Sequence, residues 1–186
     1  MYKISKSVDC CYGHRVWSQV LDKPDLSIST ECKCRHLHGH QGKITVVLSG
    51  NQLENGMVTD FHNLTFFKKF IDDYVDHKFI IDKQDPLFHR LLGSRYPRNT
   101  LSESSHFTIH DEGFYTPYLS SRDVLPIEEV EMLEGLIIVP FLPTSENLAA
   151  WFYKIVNNVM SKHGILVESV EFNETPKTSA TYSETL

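Results

Sequence analysis

Residues 32–40 read CKCRHLHGH, two cysteines and three histidines in nine positions, and the run 42–50 that follows reads GKITVVLSG. The first stretch has the density of a metal site. The second, β-branched and apolar, predicts a strand continuing from it. His38 and His40 are separated by one glycine, and in an extended backbone alternate side chains point the same way, so both imidazoles reach one ion. Gly39 leaves room for that ion. The histidines thus ride on a rigid element, and the fold is expected to be organised around it.

On the N-terminal side, residues 2–12 predict a first strand ending in CCYGHRVW, with His14 just beyond it. A catalytic zinc commonly keeps three protein ligands and one open position, and a neighbouring strand can bring His14 across as the third. The same letters also permit a closed structural site of Cys32, Cys34, His38 and His40. Its C-x-C and H-x-H spacings are tighter than the usual structural pattern, and it leaves His14 unexplained.

On the C-terminal side, Asn55-Gly56 marks a turn, and Thr59 or Asp60 caps a helix over 60–75 in which Leu64, Phe67, Ile71 and Tyr74 recur at three- and four-residue steps. That helix runs into Asp76-His77. From 85 to 135 the pattern is weak: 87–92 predicts a helical turn, and the Ser/Pro/Asn-rich middle reads as loop. The stretch of about 87–135 is taken as an insertion. His106 and His110 lie four apart, but β-branched and aromatic neighbours do not support a shared helix face, so no second metal site is assigned. Residues 136–140, LIIVP, predict a short buried strand. PTSENLAAWFYKIVNNVM then predicts a second helix, capped by Thr144 or Ser145, with an apolar stripe of Leu148, Phe152, Ile155 and Val159. Residues 165–173 and 179–184 read as two last strands joined around 174–177. The expected architecture is α+β: an antiparallel four-stranded sheet in ββααββ order, covered on one face by two helices, within a single domain of 1–186.

The chain has 186 residues and a formal charge of −6, which argues against a nucleic-acid partner, since that wants a basic face. No apolar run approaches the roughly 18 residues of a membrane span, and the N-terminus carries no export-like stretch. A cytoplasmic protein with its four cysteines as thiols is therefore expected.

Three neutral imidazoles holding zinc leave a position for substrate oxygens, where the ion acidifies a hydroxyl and polarises a carbonyl. This suits proton shuffling along a polyol side chain. Cys34, four residues before His38, is placed to act as general base, its thiolate favoured by the metal charge. Asp76 orienting His77 supplies a second proton carrier.

Taken in order, His14, Cys34, His38-Gly39-His40, Asp76-His77, PTSEN and Glu174 closely resemble the 6-pyruvoyltetrahydropterin synthase and 6-carboxytetrahydropterin synthase family; the match runs from His14 to Tyr182, with 87–135 outside it. The resemblance implies the tunnelling fold, with two β-hairpins in an antiparallel sheet backed by two helices. It implies a homohexamer, a dimer of trimers. It implies zinc on His14, His38 and His40, proton transfer by Cys34 with Asp76 and His77, and a pterin ring anchored by Glu174, with Glu146 also near the site. The implied substrate is 7,8-dihydroneopterin triphosphate, with its side-chain hydroxyls on the zinc. A carboxylate suits the pterin's guanidine-like edge because it accepts two parallel hydrogen bonds. Cys-x-x-Leu-His-Gly-His over 34–40, with DHKFIIDKQDPL, resembles the carboxy branch that feeds queuosine and other deazapurines. Cys32 stands at the distance typical of the pyruvoyl branch. The expected activity is a zinc-dependent carbon-carbon lyase that releases acetaldehyde and triphosphate and leaves 6-carboxytetrahydropterin. The pyruvoyl synthase and a non-catalytic zinc- or pterin-binding module are the alternatives.

Overall fold

A computed structural model describes residues 1–21, 25, 32–93, 96, 101, 106–119 and 125–184. Among them are eight strands, β1 (Tyr2–His14), β2 (His38–Gly50), β3 (Lys78–Asp82), β4 (Phe107–His110), β5 (Phe114–Pro117), β6 (Leu136–Val139), β7 (Leu166–Thr175) and β8 (Thr178–Tyr182). The α-helices are α1 (Thr65–Tyr74), α2 (Phe88–Leu92), α3 (Ile127–Glu134) and α4 (Ser145–Met160). The strands form one sheet in the order β4-β5-β6-β3-β1-β2-β7-β8. The chain gathers into two compact units, one of residues 1–12, 40–76 and 144 onward, the other of 13–39 and 77–143.

In the first unit, alternation decides which side chains are inside. Along β1, Val8, Cys10 and Tyr12 are buried while Ser7, Asp9 and Cys11 are exposed or nearly so, the period of two of a half-buried strand. β2 buries Ile44, Val46 and Leu48 in the same way. It pairs antiparallel with β7, Ile44 facing Phe172 and Val46 facing Val170. β7 turns back into β8 with Phe172 opposite Ala180. Helices α1 and α4 supply the other half of the core: Phe152 meets Phe67 edge-on at 6.0 Å and Phe172 at 5.7 Å, and Trp151 meets Phe70 at 5.6 Å. Such edge-to-face pairs are favourable beyond the area they bury. Thr144 caps α4, its hydroxyl accepting the Asn147 amide at 3.3 Å.

The second unit corrects the expectation of four antiparallel strands. The sheet has eight strands, and β3 and β6 run parallel, with Ile80 beside Ile137 and Ile81 beside Ile138. LIIV, and the Phe79-Ile80-Ile81 centre of KFIID, are apolar runs without alternation, the pattern of strands buried on both faces, and five residues of Lys78–Asp82 were too short to stand out by periodicity. The stretch 87–135 is likewise not a bare loop. It holds α2, the hairpin β4-β5 and α3, and its Phe88, Leu92, Tyr96, Leu101, Phe107 and Leu133 share a core with Ile81, Leu136 and Ile138. Residues 94–95, 97–100, 102–105 and 120–124, where the loop-like composition is strongest, lie outside the described residues.

Smaller differences concern boundaries. The expected helix over 60–75 opens as a 3-10 turn, Phe61–Leu64, capped by Asp60, and only then becomes α1. The turn at Asn55-Gly56 has both residues at positive φ, 52° and 81°, which Asn and Gly tolerate. No helix among the described residues is long and apolar enough to cross a membrane.

Candidate metal centre

The first strand runs two residues further than expected, so His14 is its last, fully buried residue. It has the parity of Val8, Cys10 and Tyr12. β2 begins at His38, which places both its histidines on the strand with the parity of Ile44. Glu174, expected in the turn, is instead a strand residue of β7, two positions past Phe172. Since Ile44 faces Phe172, a step of two in each strand leads to Gly42 and Glu174 on the same face, next to His40.

The outcome is a cluster of four donors. One ligand atom from each of His14, His38, His40 and Glu174 lies within 4.8 Å of the other three, so the group can hold a metal ion. The His14 and His38 rings have centroids 4.6 Å apart, and His40 Nε2 is 3.4 Å from Glu174 Oε1. The rings are also turned correctly. His14 Nδ1 donates to the Pro143 carbonyl at 2.7 Å, and His38 Nδ1 donates to the His36 carbonyl at 2.8 Å. A carbonyl only accepts, so Nδ1 carries the hydrogen in both rings, and the lone pair of each neutral imidazole sits on Nε2. Fixing the tautomer through a backbone carbonyl is the usual outer support of a metal-binding histidine. Three imidazoles and one carboxylate fit zinc.

Tyr12 and Gly42 complete the surroundings, and neither was singled out from the sequence. The Tyr12 ring lies 5.9 Å from that of His40 and 5.5 Å from that of Phe172. Burial, and after it the Glu174 and Cys10 charges, push the Tyr12 hydroxyl above its usual range, so it stays protonated. A Cβ at Gly42 would come within 3.1 Å of Phe172 Cε2 and 3.2 Å of Tyr12 Cε1. The available signal was parity: Tyr12 is two residues from His14, and Gly42 two from His40.

Cys34, Asp76, His77 and Glu146 are not members of the four-donor group. Cys34 lies in a 3-10 turn, Lys33–Arg35, half-buried, with its carbonyl accepting the Val16 amide at 2.7 Å. Cys32 precedes that turn, and its thiol donates to Gln19 Oε1 at 3.2 Å. Asp76 is half-buried, with Oδ1 accepting the Cys11 amide at 2.7 Å. His77 is exposed, with a left-handed φ of 58°. Glu146 is exposed in the first turn of α4. His110 belongs to β4, donating to or accepting from Thr116 Oγ1 at 2.9 Å and stacking on Phe114, as a strand residue should.

Residues 3–185 match the family model described as 6-pyruvoyl tetrahydropterin synthase. The chain belongs to that family. Within the wider set of its relatives, the 6-carboxy-5,6,7,8-tetrahydropterin synthase of Aquifex aeolicus is 28% identical over 194 residues, 98% of each chain. The crystal structure of an uncharacterized protein from Wolinella succinogenes superposes with a TM-score of 0.89 at 42% identity, covering 99% of this chain and 98% of that one. The 6-pyruvoyl tetrahydropterin synthase of Caenorhabditis elegans, 21% identical, shares the fold at a TM-score of 0.56 over 99% of this chain and 96% of its own. The α+β sheet thus shares the fold of a solved 6-pyruvoyl tetrahydropterin synthase.

Proposed function

We propose that this chain is a 6-carboxy-5,6,7,8-tetrahydropterin synthase, converting 7,8-dihydroneopterin triphosphate to 6-carboxytetrahydropterin with loss of acetaldehyde and triphosphate. The observation that carries the reading is the four-donor cluster, in which three imidazoles stand beside one carboxylate. His14, His38 and His40 hold zinc, which when bound acidifies the substrate's side-chain hydroxyls and polarises a developing carbonyl. Glu174 then grips the amino edge of the pterin ring, and Glu146, an acid in the first turn of α4, is assigned to the same site.

Cys34 takes the side-chain proton. The Cys-x-x-Leu-His-Gly-His spacing over 34–40 supports Cys34 rather than Cys32 and with it the carboxy branch. Asp76 steadies His77 for the second transfer. Left-handed backbone is costly for a residue other than glycine, and a histidine kept at φ 58° is supported as functional rather than incidental. The full-length likeness to the Aquifex aeolicus synthase supports the same branch. Assembly as a homohexamer, a cytoplasmic location and a role ahead of deazapurine synthesis accompany this reading.

The test is to incubate zinc-loaded protein with 7,8-dihydroneopterin triphosphate and weigh the products. Acetaldehyde and carboxytetrahydropterin are expected. A pyruvoyl product assigns the other branch of the family, and no turnover with normal zinc content leaves a binding module.

A further inference from the structure

The three residues that follow His14 are each held by a different group. Two of the holders are Asp82, which ends β3, and Asp85, which precedes α2, and both carboxylates are buried. Each gives one oxygen to its own backbone: Asp82 Oδ1 accepts the Gln84 amide at 2.9 Å, and Asp85 Oδ1 accepts the Leu87 amide at 2.7 Å. Such local bonds, two residues on, fix where an aspartate points. Each then turns its other oxygen to the segment after His14. Asp82 Oδ2 accepts Trp17 Nε1 at 2.9 Å, and Asp85 Oδ2 lies 3.1 Å from Arg15 Nε. Between these two contacts, the Val16 amide donates to the Cys34 carbonyl at 2.7 Å.

The turn that carries Cys34 needs such support. Lys33–Arg35 is a single turn of 3-10 helix, and Cys32 before it makes no side-chain cap. A lone turn has poor hydrogen-bond geometry and few bonds of its own, so its place is set from outside. Besides the Val16 bond, Arg35 Nη1 donates to the Gln19 carbonyl at 3.0 Å, and the Cys32 thiol donates to Gln19 Oε1 at 3.2 Å. The Gln19 amide returns to the Val16 carbonyl at 3.2 Å. His14 has a separate support, its place in β1 and the Pro143 carbonyl.

We propose that residues 15–19 form a strap that places the Cys34 turn, and that Asp82 and Asp85, which anchor the strap, are positioning residues for Cys34. The placement stands on the bonds above; its effect on turnover rests on the reading of Cys34 as the base.

The test uses full-length protein and two variants. Asp85→Asn keeps an acceptor for the Leu87 amide but removes the charge that faces Arg15. Trp17→Phe removes the Asp82 bond without burying a new charge, and decides the matter if Asp85→Asn does not fold. Peptide mapping follows alkylation of Cys34 by iodoacetamide at one fixed pH. The rate should rise about fivefold in Trp17→Phe, the weight of one hydrogen bond, and about tenfold or more in Asp85→Asn, where a buried ion pair is broken. Cobalt affinity and spectrum, read on stripped protein, should match wild type in both. With zinc and 7,8-dihydroneopterin triphosphate, kcat should fall by similar factors at unchanged KM. In a Cys34→Ala background neither variant should lower the residual turnover further, because its effect passes through that thiol.

Wild-type alkylation rates in variants that circular dichroism shows to be folded overturn the strap. So does a loss of cobalt affinity matching the gain in alkylation, which makes the segment a support of the metal instead. A fall in turnover that persists in the Cys34→Ala background overturns the positioning of Cys34. Failure of the functional reading has a different signature: Cys34→Ala turns over at the wild-type rate, or wild type does not turn over at all. The alkylation and cobalt measurements then still decide the strap.

Discussion

At Glu174 two roles compete for one carboxylate, since an oxygen 3.4 Å from His40 Nε2 is close enough to be a fourth ligand. If the imidazoles suffice, Glu174→Gln retains one zinc per chain by elemental analysis but loses turnover by at least about a hundredfold, the cost of removing a charged, bidentate grip of about 3 kcal/mol. Loss of the metal would make Glu174 a ligand. Cys10 gives a second test. Burial, then the charges of Asp76, Cys11 and Asp9, push its thiol up to about 12. At pH 8.5 iodoacetamide should therefore modify the exposed Cys11 and spare Cys10 in the folded chain. The sign for stability follows. A raised thiol pKa stabilises the fold fully below the unfolded value of about 8.5, and that stabilisation is lost as pH climbs towards 12, so melting temperature should fall over this window and fall less in Cys10→Ala. Of these residues, the paired histidines were legible because a spacing of two on a strand forces a shared direction. Tyr12 was not, because an aromatic residue at an alternating position reads as core until its neighbours are known.

Among the elements, α4 carries the clearest load. Phe152 is fully buried and touches rings from α1 and β7, so Phe152→Ala should destabilise the chain by about 3–5 kcal/mol in urea unfolding, against less than about 1.5 kcal/mol for Phe152→Leu if the site relaxes. This helix was readable in advance: a Thr144 cap and a stripe at three- and four-residue steps agree with each other. α1 was readable for its apolar face but not for its 3-10 entry, which Asp60 caps by accepting the His62 amide at 2.8 Å. β3 escaped because a run buried on both faces has no alternation, and a pentapeptide is too short to be told from a helical turn. β4 and β5 escaped although they pair as a local hairpin, His110 opposite Phe114, because four-residue strands are too short to show an alternating pattern.

For the molecule as a whole, metal and stability should be linked. An ion that binds only the folded chain stabilises it by about 4 kcal/mol at a thousandfold excess over its dissociation constant, which in a chain of this length is a rise in melting temperature of about 10 °C. A chelator should reverse that rise in the wild type and have no effect on the melting of His40→Ala, and calorimetry with and without zinc reads the difference. The family was legible at this scale because the residues that carry the resemblance arrive in a fixed order from His14 to Glu174; the eight-stranded sheet was not, because five of its strands contribute none of those residues. Gly42 shows what such a reading overlooks. A search that ranks positions by what their side chains do passes over it, yet a single methyl there would press on two aromatic rings, one of them lodged against a metal donor. Variation in this protein is therefore constrained at a point where there is nothing to remove, and the smallest residue near the centre should be among the least replaceable.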